Sequence, residues 1–457
     1  MNKTSEIDML NGPLGSKILL FALPLAATGI LQQLFNAADI VVIGRAVGKH
    51  AMAAVGCNGP VIGLIVNLFL GISLGANVVI ANFTGQHSDQ KIQDAVHTAV
   101  LLPIVSGVGI ALIGEAVAYP LLRLLGVPDE VFVMALRYLR VYLAGMPVIL
   151  LYNFEAAIFR SQGDTRTPLF CLAVSGMVNV ALNVFFVCVL HMTVEGVALA
   201  TVISNLMSAV LLLLILLKRD GPVSVRFKKL RLNRRILVSI LKIGVPAGVQ
   251  GMVFSLSNLC IQSAINSLGP DIMAASSAAF NVEIFLYFIV NAFGQACTTF
   301  IGQNYGAHLL ARCRSILRLC LLLDAALTFV LMLLILLVGH RLLSLFNGDE
   351  QVLHYGTIRL TYIVGANLLS VLIEVMSGCL RGFGHSLVPA VIAVVGICGV
   401  RICWVCTAFK IRPTFSTLMA VYPVSWAVTA AAIVLAYIAL RKKLYTPFTK
   451  ASPPDRH

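Results

Sequence analysis

A chain of 457 residues would ordinarily divide into two or three water-soluble domains, yet 59% of these residues are hydrophobic and only 11% are charged. Soluble chains run near ~45–50% apolar and ~25% charged, so a mean hydropathy of +0.93 leaves too little charge to coat a surface facing water. The formal net charge of +14 does not mark a nucleic-acid binder, because the basic residues cluster between apolar runs, where membrane topology places them.

The N-terminal stretch has no short apolar core followed by a small-residue cleavage site, so no cleaved signal peptide is expected. Beyond it the apolar runs are long and continuous, unlike the short alternating segments of a membrane β-barrel. A spanning helix needs about 20 apolar residues. On that scale the runs predict spans near 16–44, 54–82, 95–119, 131–159, 168–190 and 194–217, then 236–266, 275–301, 314–338, 355–380, 388–409 and 415–440. The expected fold class is an all-α polytopic membrane protein, twelve transmembrane helices in two pseudo-symmetric six-helix bundles. Residues 1–217 form the N-terminal lobe, 218–235 a basic linker, 236–440 the C-terminal lobe and 441–457 a tail.

The linker carries eight Lys and Arg against the lone Asp220. Lys91, Arg160, Arg166, Arg312, Arg314 and the basic run Arg441, Lys442, Lys443 fall on the same side of alternating spans. Basic residues favour the cytoplasm, so both termini are expected there, in a multi-pass protein of the cell membrane whose linker meets lipid headgroups.

The chain also repeats itself. Segment 158–168, IFRSQGDTRTP, aligns with 379–389, CLRGFGHSLVP, matching Arg160 to Arg381, Gly163 to Gly384 and Pro168 to Pro389. Pro24 similarly falls opposite Pro246, and Gly85-Gln86 opposite Gly302-Gln303. Halves with an even number of spans enter the membrane the same way, so a two-fold axis along the membrane normal relates them. Such repeats place a substrate site between the halves and alternate access by rocking. Architecture argues for a transporter.

The order of these features resembles the multidrug and toxic compound extrusion (MATE) family. The resemblance rests on the first-span segment 24–44 (PLAATGILQQLFNAADIVVIG), the loop 160–168 with its echo at 381–389, GQNYGA at 302–307 and YPVSW at 422–426. It implies two six-helix bundles in a V around a central cavity. It also implies export of small amphipathic or cationic molecules in exchange for H⁺ or Na⁺, with the cation site in the N-terminal half.

Asp39 is the leading candidate, because an acid in an apolar span is costly and usually marks an ion or substrate pathway. Gln32, Asn36 and Asp39 follow i, i+4, i+7 spacing and share a helix face, a polar stripe expected to face the interior. The carboxyl either takes up a proton on one side and releases it on the other, or stays ionised and binds Na⁺ among carbonyl and amide oxygens. Asn179 and Asn183 lie four apart in the fifth span, and Thr201 in the sixth adds a hydroxyl. The resemblance implies an H⁺ or Na⁺ site at Asp39, Asn179, Asn183 and Thr201. Relatives often carry an aspartate at the place of Asn183, so one charge is missing and proton coupling at Asp39 gains weight. Pro24 occupies the place of a first-span proline linked in the family to helix bending, a hinge or a static kink.

Some members of that family carry a C-terminal site built from acids in the seventh and tenth spans. Here the seventh offers only Gln250, Asn258 and Gln262 as cavity-lining amides. Glu283 and Glu374 are the available acids, either lining the cavity and attracting a cationic substrate or serving as structural partners. Glu155 is expected to pair with basic residues near the interface. Arg401 and Asp324 are expected to be structural, neutralising each other or reaching separate partners. Loop 160–168 reads as turn chemistry and a helix start.

The eleven cysteines, including the Cys403-x-x-Cys406 pair, are assigned to packing. No phosphate-binding glycine loop and no His-Glu-x-x-His pattern occurs, and no nucleophile converges with a base, so an enzyme is not expected. No cofactor beyond the coupling ion is expected; the partners expected are the substrates and membrane lipids, with no nucleic acid, and the protein is expected to be a monomer. The competing reading is a flippase for lipid-linked saccharides or other lipid-like substrates, which would need several cavity cations where the sequence offers mainly Arg401.

Overall fold

The computed structural model describes residues 6–346 and 348–446; the part of the expected tail from 447 onward lies outside the described residues. The N-terminal half comprises α1 (Leu14–Ala46), α2 (Lys49–Gly85), α3 (Asp89–Leu124), α4 (Asp129–Ala144), α5 (Met146–Ser161), α6 (Arg166–Val184) and α7 (Val194–Lys218). A π turn, Phe185–Val189, extends α6. The C-terminal half opens with α8 (Arg234–Asn266), α9 (Pro270–Gly306), α10 (Leu310–Ser344), α11 (Glu350–Gly365) and α12 (Asn367–Gly382). Its eleventh span joins α13 (Leu387–Ala393), a π turn (Val394–Gly399), α14 (Val400–Cys406) and α15 (Ala408–Ile411). α16 (Phe415–Met419) and α17 (Val421–Leu444) form the twelfth.

Ten helical spans are long and apolar enough to cross a bilayer, and two bent helix pairs complete twelve. The bent pairs differ from the single helices expected over 131–159 and 355–380. α4 and α5 meet at 49°, and α11 and α12 at 41°. At the first break Pro147 lacks an amide proton and disfavours a helical residue before it. Gly145 tolerates the close approach there, since a Cβ on it would lie 2.2 Å from Val202 Cγ2. The second break, Ala366, stands opposite Gly145 by the offset that relates Arg160 to Arg381.

The duplication extends to the turns. Gly163 and Gly384 have φ of 86° and 83°, and His87 and His308 have 51° and 60°. At the first pair only glycine adopts that conformation cheaply. Asp164 then starts α6, its Oδ1 accepting from Thr167 N at 3.0 Å.

The halves meet tightly at the end that carries the basic linker. α2 crosses α8 through glycines: a Cβ on Gly71 would lie 2.0 Å from Gly248 N, and one on Gly75 2.4 Å from Ile240 O. Nearer that end, a Cβ on Gly85 would lie 1.9 Å from Gln303 O. Asn77 Nδ2 donates to Thr299 Oγ1 at 2.8 Å and Gln303 Nε2 to Ser161 O at 2.6 Å, both across the seam. Asn67 Nδ2 donates to Ser255 Oγ at 2.8 Å, about midway along α8. α1 lies against α9 through the Phe21–Phe300 ring pair and through Gly29 beneath Phe288.

The linker is pinned to the N-terminal half. Arg231 donates to both Asp94 oxygens at 2.9 and 3.1 Å, and Arg219 pairs with Asp164 and Glu6 at 3.0 and 2.9 Å. The outward flanks expose aliphatic side chains such as Leu112 and Leu337, as a lipid-solvated bundle requires. Cys188, Cys260, Cys403 and Cys406 are exposed on such surfaces. The packing role expected of the cysteines therefore belongs to the buried ones.

Candidate functional site

Asp39 sits two turns before the end of α1 and is buried, with 9% of its surface exposed. α6 and α7 close over it. Asn183 Nδ2 donates to Asp39 Oδ1 at 2.5 Å and to Asn179 Oδ1 at 3.2 Å, so its two amide hydrogens bridge both acceptors. Thr201 Oγ1 lies 3.3 Å from Asp39 Oδ2 and 3.0 Å from Val197 O. Its single proton serves one of them at a time. Asn183 Oδ1 is buried without a hydrogen-bond partner. The structure thus brings Asp39, Asn179, Asn183 and Thr201 together, the set that the family resemblance implies.

Asp39 has no Lys, Arg or His within ion-pair distance among the described residues. A carboxyl group so placed is costly as a bare anion, and protonation or a bound cation relieves that cost. The surrounding oxygens, from Asn179, Asn183 and Thr201, are of the kind that ligate hard cations. Among the described residues no group of three or more His, Cys, Asp or Glu is disposed to hold a metal ion.

Gln32 and Asn36 are exposed and sit outside this cluster. The expected stripe therefore divides: two amides are exposed, and the acid is buried against α6 and α7. Pro24 lies inside α1, which runs unbroken past it, and Thr28 Oγ1 donates to Pro24 O at 2.9 Å.

In the C-terminal half, Asn258 and Gln262 are exposed. Gly244, Gly248, Gly251 and Ser255 form the face of α8 turned to α2. Asn258 and Gln262 prolong that face along α8 by the same three- and four-residue spacing. Gln262 Nε2 donates to Asn266 Oδ1 at 2.9 Å. Gln250 is buried and accepts from Arg381 Nη2 at 3.0 Å, which removes it from the cavity lining expected of it.

The two C-terminal acids are engaged. Glu283 pairs with Arg359 at 2.5 Å, and Glu374 lies 4.0 Å from Arg381. Glu283 is thus a structural partner whose charge is cancelled, not a free attractor of cations. Sequence reasoning missed Arg359; the signal was a basic residue inside a predicted span.

Glu155 does not pair as expected, because it is fully buried and both its oxygens lack partners. Arg401 and Asp324 reach separate partners. Arg401 Nη1 donates to Asn258 Oδ1 at 2.8 Å, and Asp324 Oδ1 accepts from Thr328 at 3.1 Å.

Comparison with known proteins places these features. The chain is 29% identical over 392 residues to the probable multidrug resistance protein YoeA of Bacillus subtilis, covering 84% of each chain. It is 21% identical over 382 residues to the multidrug export protein MepA of Staphylococcus aureus, again covering 84% of each. Among solved structures it superposes on an outward-facing multidrug resistance MATE family transporter with a TM-score of 0.88 and 21% identity, covering 97% of this chain and 99% of that one. The MatE family model matches residues 24–185 and 246–405, one match in each half. The chain therefore belongs to the MatE family and is a multi-pass membrane transporter, not an enzyme.

Proposed function

We propose that this transporter exports amphipathic and cationic compounds across the cell membrane in exchange for protons, with Asp39 as the coupling group. The observation that carries the reading is a buried acid without a cationic partner, held by the side chains of two further spans. The names of its relatives, multidrug export and multidrug resistance proteins, support the substrate class.

The basic end is taken as cytoplasmic, with both termini on that side. The seam of α2 with α8 and α9 then closes the cytoplasmic entrance, while the gap lined by Asn36, Asn258 and Gln262 opens outward. In that arrangement a proton reaches Asp39 from outside. Neutral Asp39 no longer attracts the Asn183 amide hydrogens as a carboxylate does, and it becomes a donor. The change loosens the tie between α1 and α6 and biases the bundle toward the other arrangement, where Asp39 releases its proton to the cytoplasm. The protein works as a monomer among membrane lipids, binds no nucleic acid and uses no cofactor beyond the coupling ion.

Sodium is the second reading, favoured by the unpartnered Asn183 Oδ1 beside Asp39. A flippase reading loses ground, because Glu283 and Glu374 face the cations that would hold lipid phosphates, Arg359 and Arg381.

Ethidium accumulation by everted membrane vesicles tests the proposal. An imposed pH gradient, acid inside, should drive dye uptake that an ionophore for protons abolishes. Uptake driven only by an imposed Na⁺ gradient would move the assignment to sodium, and indifference to both gradients would refute coupled antiport.

A further inference from the structure

The C-terminal half repeats the frame around Asp39 with a cation in place of one of its amides. By the offset of Arg160 to Arg381, Thr201 corresponds to Tyr422 and Tyr138 to Arg359. By that of Pro24 to Pro246, Asn36 corresponds to Asn258. In the eleventh span a π turn precedes Arg401, whereas in the fifth it follows Asn183. A π turn accommodates one extra residue, and that shift brings Arg401 into register with Asn179. The amide Asn179 beside the acid of one half thus has its counterpart in a guanidinium of the other.

Arg359 is paired directly with Glu283, but Arg401 makes no ion pair among the described residues. It is 1% exposed, and no carboxylate lies within ion-pair distance of it among the described residues. Its partners are neutral: the Asn258 amide at 2.8 Å and the rings of Tyr422 and Phe254, whose centroids lie 4.4 and 5.2 Å from the guanidinium carbon. Its Nε has no hydrogen-bond partner. Buried charge of this kind is costly until an opposite charge arrives, and the planar fork of arginine fits a carboxylate.

Asn258 is exposed and covers the buried Arg401 with its amide oxygen. Its face of α8 is continuous with Ser255, which bonds to Asn67 of the opposite half, and its Oδ1 sits where a carboxylate oxygen would accept from Nη1. We infer that Arg401 is a binding site for the carboxylate of an aromatic amphipathic substrate, which enters from the gap, displaces the Asn258 amide and lies against Tyr422 and Phe254. The inference rests on the exporter reading and names a substrate class for it: zwitterions that bear a carboxylate beside their cationic group.

Rhodamine 110 and rhodamine 123 form the test pair, because they share one cationic ring system and differ in a free carboxylate against its methyl ester. Binding to the purified full chain in an uncharged detergent is read by fluorescence anisotropy, with ethidium as a third probe. Wild type should bind rhodamine 110 about tenfold more tightly than rhodamine 123, the worth of one charge-assisted pair. Arg401→Gln should abolish that preference by weakening rhodamine 110 alone, and Arg401→Lys should keep part of it. Equal affinities in wild type, an unchanged preference in Arg401→Gln, or equal loss of both dyes would each overturn the proposal. The wild-type comparison and Arg401→Lys decide the matter even where Arg401→Gln does not fold. Should none of the three probes bind wild type, the exporter reading itself falls; should ethidium and rhodamine 123 bind without any preference for the acid, only the Arg401 site falls.

Discussion

Glu283 and Arg359 face each other with side chains 11% and 7% exposed, where removing one partner strands the other charge. Arg359→Met should destabilise the folded bundle by about 3–5 kcal/mol, whereas replacing both residues with Met should restore most of the loss. Thermal unfolding in detergent, followed by intrinsic fluorescence, measures both; equal stability of Arg359→Met and wild type would show that the pair carries no weight. Asp39 was legible in the sequence because an acid in an apolar span stands out, and Asn179 with Asn183 because amides four apart share a helix face, but only the family resemblance joined them with Thr201 into one site. Arg359 was not legible. Its partner lies 76 positions away, and nothing in the local pattern says which acid a buried guanidinium will meet. The same limit applies to Glu155, whose expected cationic partner is absent because its helix turns it into the apolar interior of the N-terminal half.

The spans are legible as elements because only long apolar helices satisfy their backbone in lipid. Their interruptions are not: Gly145 and Ala366 lie between apolar flanks that read as one continuous helix. The glycine seam is hidden for a related reason, since close approach of two helices is a property of the pair. Ala81 of α2 and Gly302 of α9 meet in that seam, with 3.4 Å between Ala81 Cβ and the position a Cβ on Gly302 would take. That separation lies just under the usual disulfide range of about 3.5–4.5 Å, so a bond forms with a small outward shift of the helices. The double substitution Ala81→Cys with Gly302→Cys should cross-link on oxidation, seen as a linked peptide by mass spectrometry, and should arrest transport until reduced. Full transport by the cross-linked protein would mean that the seam never opens. Gly248→Ala should slow the same cross-link, because its Cβ would fall 2.3 Å from Leu68 O and must push α2 and α8 apart; an unchanged rate would show that the helices absorb the methyl group without separating.

At the scale of the whole molecule, two halves of one duplicated pattern close on each other at the basic end, with Asp39 buried in the N-terminal half and Arg401 in the C-terminal half. The duplication was legible in the loops at 160–168 and 381–389, while the separation of Arg401 from any paired acid emerges only once the spans are folded together. The account requires that Asp39 convert the ion gradient into rocking of the halves. Gradient-driven ethidium uptake by everted vesicles containing Asp39→Asn, compared with wild type at equal protein content, tests this most directly. Asparagine keeps the size and hydrogen-bonding capacity of the side chain but cannot exchange a proton, so uptake under an imposed pH gradient should fall to the level of vesicles lacking the protein, while ethidium binding to the purified variant persists. Uptake at the wild-type rate in Asp39→Asn would contradict the account.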